Sequence, residues 1–371
     1  MANLRKMYRT RRRGDFPDAI EIAGVAYAKV QDLRYGTNPN QAAAFYRPAD
    51  GRPLVLGAMR ELKTGMSGLS QTNLEDMHRA LEVVKFFAEP AVAVMKHCNP
   101  SGAAVRRAAE SLADVYIKAR DCDPQAAFGS VVGFNVPVDV ATAEALMTSV
   151  VHAVCAPSYE DGVLEILCAG EKYGVNKEIR VVEVGDISAL PKFVGDDAAG
   201  PAEVKVFADG SVVLAEPYLS SIRSVADLSA AETADKKRGR VRSEVAATDD
   251  QIADLLFAWY VCINTRSNSC VVAKNGATLA AGTGQQDRVG AFVDAARRVE
   301  EKYEGGQSPR GAVVATDGFL PFRDSVDVAA DAGWSAILSP GGSISDYEVI
   351  AAANERGLAM LFTGERCFSH H

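Results

Sequence analysis

Long apolar runs are missing from this 371-residue chain, and none approaches the roughly 18 to 20 residues that a membrane span needs. No membrane partner is expected. A secretory signal is missing as well. Arg5, Lys6, Arg9, Arg11, Arg12 and Arg13 have the charge of a signal's first part, but no apolar stretch follows them. Histidine is scarce, at five, and the seven cysteines show no CxxC or other close metal-ligand spacing. Free thiols in a reducing cytoplasm are the expectation. Neither GxGxxG nor GxxxxGK followed by Ser or Thr occurs, which removes the dinucleotide and Walker fingerprints. The HxE…PCxxC pattern of zinc deaminases is absent, so no zinc is expected. A basic excess is also lacking. The net charge of −8 argues against a nucleic-acid partner. A small anion remains possible, because a pocket can be basic on an acidic protein.

What is present is ordinary globular composition, 48% hydrophobic and 24% charged, enough for two or three domains. Residues 1–20 are basic and then acidic. They read as a solvated arm or as a segment that packs on an acidic partner surface. Residues 21–185 and 248–371 alternate strand and helix patterns and read as two α/β units. Residues 186–247, rich in Gly, Ala, Asp, Ser and Pro, connect them. The charge run Lys236-Lys237-Arg238 lies there, and Asp209-Gly210 suits a type I′ hairpin turn.

In the first unit a hairpin is expected around Gly24. A polar loop follows, Leu33 to Gln41, whose Arg34 beside Tyr35 offers a donor fork for an anion. Asn73 reads as the N-cap of a helix with an apolar stripe at Leu74, Met77, Leu81 and Val84. The apolar run Ala91–Met95 reads as a buried strand ending in Lys96-His97. Helices are expected over residues 103–120, 139–155 and 161–173, and strands over 131–134 and 179–184. In the second unit Thr248 and Gln251 form a capping box. Strands are expected over 270–273, 313–316, 336–338 and 358–362. A helix over 346–356 should close at Gly357. One internal echo stands out: Lys96 and Lys274 each end a buried strand, and a later loop in each half carries Asp and Phe.

Lys96 and His97 form an acid–base pair at a strand end, where open α/β sheets place ligands. A structural histidine beside a solvated lysine is the alternative. Cys98 suggests a thiol nucleophile with a histidine base, but neighbours on a strand point to opposite faces. Asp123 before Pro124 marks a turn or faces a ligand hydroxyl or amine.

Seven motifs then fall in order: Leu33-Arg34-Tyr35-Gly36-x-Asn38-Pro39; Lys96-His97-x-Asn99-Pro100-x-Gly102; Asp123-Pro124-x-x-Ala127-Phe128-Gly129; Ser267-Asn268-Ser269-x-x-x-Ala273-Lys274-Asn275; Gly282-x-Gly284-Gln285; Phe322-Arg323-Asp324; and Arg366-x-Phe368-x-His370. Together they resemble the transformylase half of the bifunctional AICAR formyltransferase/IMP cyclohydrolase family, over about residues 30 to 371. The resemblance implies a duplicated cytidine-deaminase-like α/β fold without zinc, a cytoplasmic location, and a homodimer with shared active sites. It implies formyl transfer from 10-formyltetrahydrofolate to the 5-amino group of AICAR, giving FAICAR in purine biosynthesis.

Carried onto this chain, His97 would be the base, Lys96 would stabilise charge and protonate the leaving nitrogen, and Asn268 would orient the formyl group or the lysine. Arg34, Tyr35 and Arg366 would hold the nucleotide, and Asp123 and Phe319 would line its site. Arg288, Val289 and Phe322 would lie near the folate. A monovalent cation, potassium, is implied near Thr265 and His370. The family's N-terminal cyclohydrolase domain has no counterpart in this sequence, so ring closure to IMP is assigned to a separate cyclohydrolase. The extra His371 has no explanation. The alternatives are a catalytically silent AICAR-binding regulator and a formyltransferase for a related aminoimidazole nucleotide.

Overall fold

A computed structural model describes residues 4–198, 203–235 and 239–370. The run Lys236-Lys237-Arg238 and His371 lie outside the described residues. The first unit runs α1 (Gln71–Val84), β1 (Ala91–Lys96), β2 (Asn99–Val105), α2 (Leu112–Arg120), β3 (Ser130–Phe134), α3 (Val140–Leu146), β4 (Val151–Ala156), α4 (Val163–Cys168) and β5 (Arg180–Glu183). The second runs α5 (Asp249–Cys262), β6 (Cys270–Lys274), β7 (Ala277–Gly282), α6 (Arg288–Glu301), β8 (Val313–Thr316), α7 (Asp324–Asp331), β9 (Ala336–Ser339), α8 (Asp346–Arg356) and β10 (Ala359–Phe362).

All ten strands join one twelve-stranded mixed sheet, in the order β10-β9-β8-β6-β7-β2-β1-β3-β4-β5. The short strands Ser229–Ala230 and Arg60–Lys63 add its two edges. Each half is built alike. The hairpins β1–β2 and β6–β7 are antiparallel, as are β1–β3 and β6–β8. The outer pairs β3–β4, β4–β5, β8–β9 and β9–β10 are parallel. The halves meet where β2 pairs with β7, through Ala104 and Ala277.

The strands are short, apolar and buried on both faces, as a sheet covered by helices on each side requires. Along β1, Ala91, Ala93 and Met95 join a core with α1 and α5 that runs under both halves. Val92 and Val94 point the other way, into a core with α2 and α3. A third core lies under the second half, between its strands and α6, α7 and α8. The result is three layers, helix, sheet and helix. Among the described residues, no helix is long and apolar enough to cross a membrane.

Five local expectations change. The helix expected over 161–173 is two short helices, Val163–Cys168 and Gly170–Tyr173. Ala103-Ala104-Val105 does not begin a helix: residues 99–105 return antiparallel to β1, and the helix starts at Leu112. The expected helix over 139–155 ends at Leu146, and residues 151–156 are a strand. The cap of α1 is Ser70, with Asn73 as its reciprocal partner in the capping box. The hairpin around Asp209-Gly210 forms, but its loop closes from Phe207 N–H to Ser211 O with Gly210 left-handed. That is a three-residue loop, where the Asp-Gly pair had suggested a two-residue type I′ turn.

Candidate active site

Lys96 pairs with Asn99 across the hairpin, so His97 and Cys98 alone make the turn. Both have positive φ, 53° and 62°. A two-residue hairpin of this twist needs that conformation, and Asn or Gly usually supplies it. His and Cys there carry strain of about 1–2 kcal/mol each. The turn is held by Asp76 of α1, which is buried and accepts the Cys98 N–H at 2.6 Å. Asn99 Nδ2 also donates to His97 O, at 3.2 Å. Burial raises the Asp76 pKa, opposed by the Cys98 N–H and by the charges of His97 and Lys96.

Lys96 Nζ donates to the carbonyls of Phe128 and Gly129, each at 2.9 Å. Burial lowers its pKa, and Asp76 opposes the shift. The His97 side chain is exposed. Burial, then Asp76, pushes the Cys98 thiol up to about 12. It stays protonated, so the reading of Cys98 as a nucleophile loses its thiolate.

A cleft of about 800 Å³ opens beside this turn, and Arg34, Tyr35, Lys96 and His97 all line it. The N-terminal arm reaches the same cleft. Arg12 N–H donates to Arg34 O at 2.7 Å, and Ser67 Oγ donates to Arg9 O at 2.9 Å. Tyr8 sets its ring edge-on to Tyr35 at 6.3 Å, and Tyr8 and Arg9 line the cavity. Among the lining residues that the sequence reading missed are Asp76, His152 and Arg180. His152 sits near the start of β4 with its side chain open to the cleft. Desolvation there, then Lys96, Arg180, Arg34 and His97, hold its pKa down to about 4. Gly129 is left-handed, at φ +71°. A Cβ on it would stand 2.9 Å from His152 Cε1 and 3.2 Å from Lys96 Nζ, so a larger residue would push both side chains aside.

The second-half candidates form a separate set. Arg288, at the start of α6, is buried. It donates to Ser269 O at 3.0 Å and Thr316 Oγ1 at 2.7 Å, and pairs with the fully buried Asp317. Its other nitrogen donates to Asn268 Oδ1 at 2.8 Å, while Asn268 Nδ2 donates to Gln285 O at 3.0 Å. The Asn268 amide is thus fixed at both ends. Val289 follows on α6, half-buried. Phe319 and Phe322 are exposed, as is Arg366, whose guanidinium lies 4.4 Å over the Phe368 ring. None of these residues lines the cleft. Asn99 links the sets, its Oδ1 accepting Arg266 N–H at 3.0 Å and the Thr283 hydroxyl at 2.8 Å.

Asp123 also lies outside the cleft lining. It caps Pro124–Ala127 through the Ala126 N–H, at 2.9 Å, and pairs with Arg298 at 3.3 Å. The Thr265 hydroxyl donates to Val261 O, and His370 O accepts Lys205 Nζ at 2.9 Å. Among the described residues, no group of three His, Cys, Asp or Glu could hold a metal ion.

A lysine and a histidine at a strained turn and a cleft lined by Arg34 and Arg180 suit an anionic substrate and a proton transfer beside it. Comparison with known proteins points the same way. The chain is 37% identical over 357 residues to the bifunctional purine biosynthesis protein PurH of Acetivibrio thermocellus, covering 96% of this chain and 62% of that protein. The PurH of Magnetococcus marinus is 37% identical, over 97% of this chain and 62% of its own length. That of Oceanobacillus iheyensis is 38% identical, over 93% and 60%. The chain therefore spans about three fifths of the length of these relatives. Residues 3–298 match the family described as the AICARFT/IMPCHase bienzyme, and the chain belongs to that family.

Proposed function

We propose that this protein transfers the formyl group of 10-formyltetrahydrofolate to the 5-amino group of AICAR, giving FAICAR and tetrahydrofolate. The observation that carries the reading is the strained Lys96-His97 turn at the edge of a cleft that also holds Arg34 and Tyr35. The AICAR amine attacks the formyl carbon, a C–N bond forms, and the carbonyl becomes an oxyanion. His97 takes the proton that the amine loses. Lys96, as an ammonium, stabilises the oxyanion and gives a proton to the folate N10 as its bond to the formyl carbon breaks. The proton on His97 then balances the one lost from Lys96. Positioned groups of this kind contribute about 10²–10⁴ in rate.

Arg34 and Tyr35 bind the nucleotide on one side. Asn268, Phe319 and Arg366 complete its site, with Arg288, Val289 and Phe322 toward the folate. Since these second-half residues lie apart from the cleft within one chain, a homodimer would bring those of one copy to the cleft of the other. The exposed apolar hairpin carrying Val204, Val206, Phe207, Val212, Val213 and Leu214 supports such a partner surface. The repeated pairing senses support reading residues 21–185 and 248–371 as copies of one cytidine-deaminase-like unit, connected by 186–247.

The test is to mix protein, AICAR and 10-formyltetrahydrofolate and follow tetrahydrofolate and FAICAR. Lys96→Ala and His97→Ala should each lose most turnover while AICAR binding persists. A folded protein that binds AICAR but releases no tetrahydrofolate would replace the catalytic reading with a binding one.

A further inference from the structure

The connecting segment 186–247 grips the C-terminal segment at one carboxylate. Glu365 Oε1 accepts the Tyr218 hydroxyl at 2.9 Å and the Ser220 hydroxyl at 2.5 Å. Its Oε2 accepts the Ser221 N–H at 2.8 Å and the Ser221 hydroxyl at 2.5 Å. These donors fill the lone-pair sites that a carboxylate offers. They stand on a fixed base. Ser220 is buried, donates its N–H to Lys192 O at 3.0 Å and accepts the Val194 N–H at 3.0 Å. Ile222 O accepts the Tyr260 hydroxyl of α5 at 3.1 Å, and Lys192 Nζ donates to Lys85 O, just past α1, at 3.1 Å. The base is thus tied to a helix of each unit.

Arg366 follows Glu365 directly. It is exposed, its guanidinium lies over the Phe368 ring, and among the described residues it pairs with no carboxylate. A free Glu365 would neutralise it, but both Glu365 oxygens face the serines and the tyrosine. Beyond Arg366 the backbone is held: the Cys367 N–H donates to Asp317 O at 3.1 Å, and Ser369 O accepts the Ser267 N–H at 2.9 Å. Before Glu365 stands Gly364, exposed and left-handed at φ 71°, the residue type that leaves a backbone most free to swing.

We propose that Glu365 is a positioning residue. Its seat on Tyr218, Ser220 and Ser221 keeps the carboxylate off Arg366 and fixes the backbone from which Arg366 reaches the nucleotide. The proposal rests on reading Arg366 as a nucleotide contact. It makes the connecting segment part of the support of that contact.

A double-mutant cycle on the full chain, reading kcat and the KM of AICAR and of 10-formyltetrahydrofolate separately, tests it. Arg366→Ala should raise the AICAR KM by roughly 10- to 100-fold, the worth of a charged hydrogen bond. Glu365→Ala should raise it roughly 10-fold, with kcat and the folate KM within about two-fold. In the Arg366→Ala background Glu365→Ala should add nothing to the AICAR KM, because its effect passes through that guanidinium. Glu365→Gln keeps an oxygen for the Ser221 N–H and turns its amide to the Tyr218 and Ser220 oxygens, so it should recover most of the loss. If Glu365→Ala does not fold, Tyr218→Phe combined with Ser221→Ala, both at exposed positions, decides alone: an AICAR KM raised by about three-fold supports the role, and an unchanged one overturns it. An unchanged AICAR KM in folded Glu365→Ala would overturn the proposal. So would a Glu365→Ala effect that persists in full without the Arg366 guanidinium. If Arg366→Ala leaves the AICAR KM unchanged, the nucleotide reading of Arg366 fails and the positioning role with it. If Arg366→Ala raises it and Glu365→Ala does not, the role fails and the reading stands.

Discussion

Replacing Asp76 by alanine removes the acceptor that holds the Cys98 N–H at 2.6 Å. A charge-assisted bond to a buried carboxylate contributes about 1.5–3 kcal/mol. The turn it holds stores strain at two residues, His97 at φ 53° and Cys98 at φ 62°, about 1–2 kcal/mol each. The two quantities are comparable, so without Asp76 little offsets the strain and relaxed turns with negative φ become populated. Burial disfavours the Asp76 carboxylate itself, which returns part of the loss. The expected net destabilisation is about 2 kcal/mol in urea unfolding. The fall in kcat should be larger in relation, roughly tenfold or more, because His97 is displaced from a substrate held by Arg34. Asp76→Asn keeps an oxygen for the Cys98 N–H and should recover most of the stability. Adding Cys98→Gly to Asp76→Ala removes half the strain and should restore turnover in part. Steady-state kinetics with AICAR and 10-formyltetrahydrofolate read kcat and KM separately. An Asp76→Ala protein with unchanged kcat would refute the argument that this carboxylate holds the proposed catalytic turn.

Gly129→Ala should cost about 1 kcal/mol of stability for its left-handed backbone and most of the turnover, since the new Cβ meets His152 and Lys96; thermal unfolding and kcat check both. Arg288→Ala leaves Asp317 charged and fully buried, and a loss of about 3–5 kcal/mol is expected in urea unfolding, with much of it recovered when Asp317→Leu is added. For His152 the folded pKa of about 4 lies below the 6.5 of the unfolded chain. The unfolded state therefore takes up a proton first as pH falls, and stability should decline between about pH 6.5 and about pH 4 and then level off. The Tm of His152→Gln should be flatter over that window.

The buried strand Ala91–Met95, the capping box at Thr248 and the Gly357 stop were legible because each depends on a local pattern of a few residues. The return strand β2 was not. Ala103-Ala104-Val105 carries no period that separates strand from helix, and the outcome was decided by pairing with β1 and β7, which is non-local. The same ambiguity hid His152. Reading residues 139–155 as one helix placed it in a last helical turn, although Val150, Val151 and Val154 give the segment a β-branched bias and Thr148-Ser149 offers a break. Arg180 was equally hidden, since an arginine at the start of a strand reads as an edge residue until the fold brings it to the Met66 carbonyl that Arg34 also reaches. The Lys96-His97 pair was legible as chemistry. Its support by Asp76, twenty residues earlier on a helix, was not, because nothing in the spacing reports which helix face meets the turn.

The two hairpin turns differ in a way that supports a chemical role for one of them. In the second half, Asn275 and Gly276 occupy the left-handed positions that suit them, at φ 52° and 70°. Asp254 accepts both of their N–H groups, at 2.7 and 2.8 Å, and Arg107 lies 3.4 Å from it. Lys274 is held by the carbonyls of Ser308 and Arg310, at 2.9 and 2.7 Å. Each element of the first turn has its counterpart: Asp76 for Asp254, Lys96 for Lys274, and the carbonyls of Phe128 and Gly129 for those of Ser308 and Arg310. What differs is that no arginine pairs with Asp76 among the described residues, and that His97 stands where asparagine relaxes the backbone. Stability alone would favour Asn-Gly at both turns. A histidine kept in a strained conformation, exposed to a cationic cleft and beside a lysine of lowered pKa, adds nothing to the fold that Asn-Gly would not, and so supports the proposed chemical role.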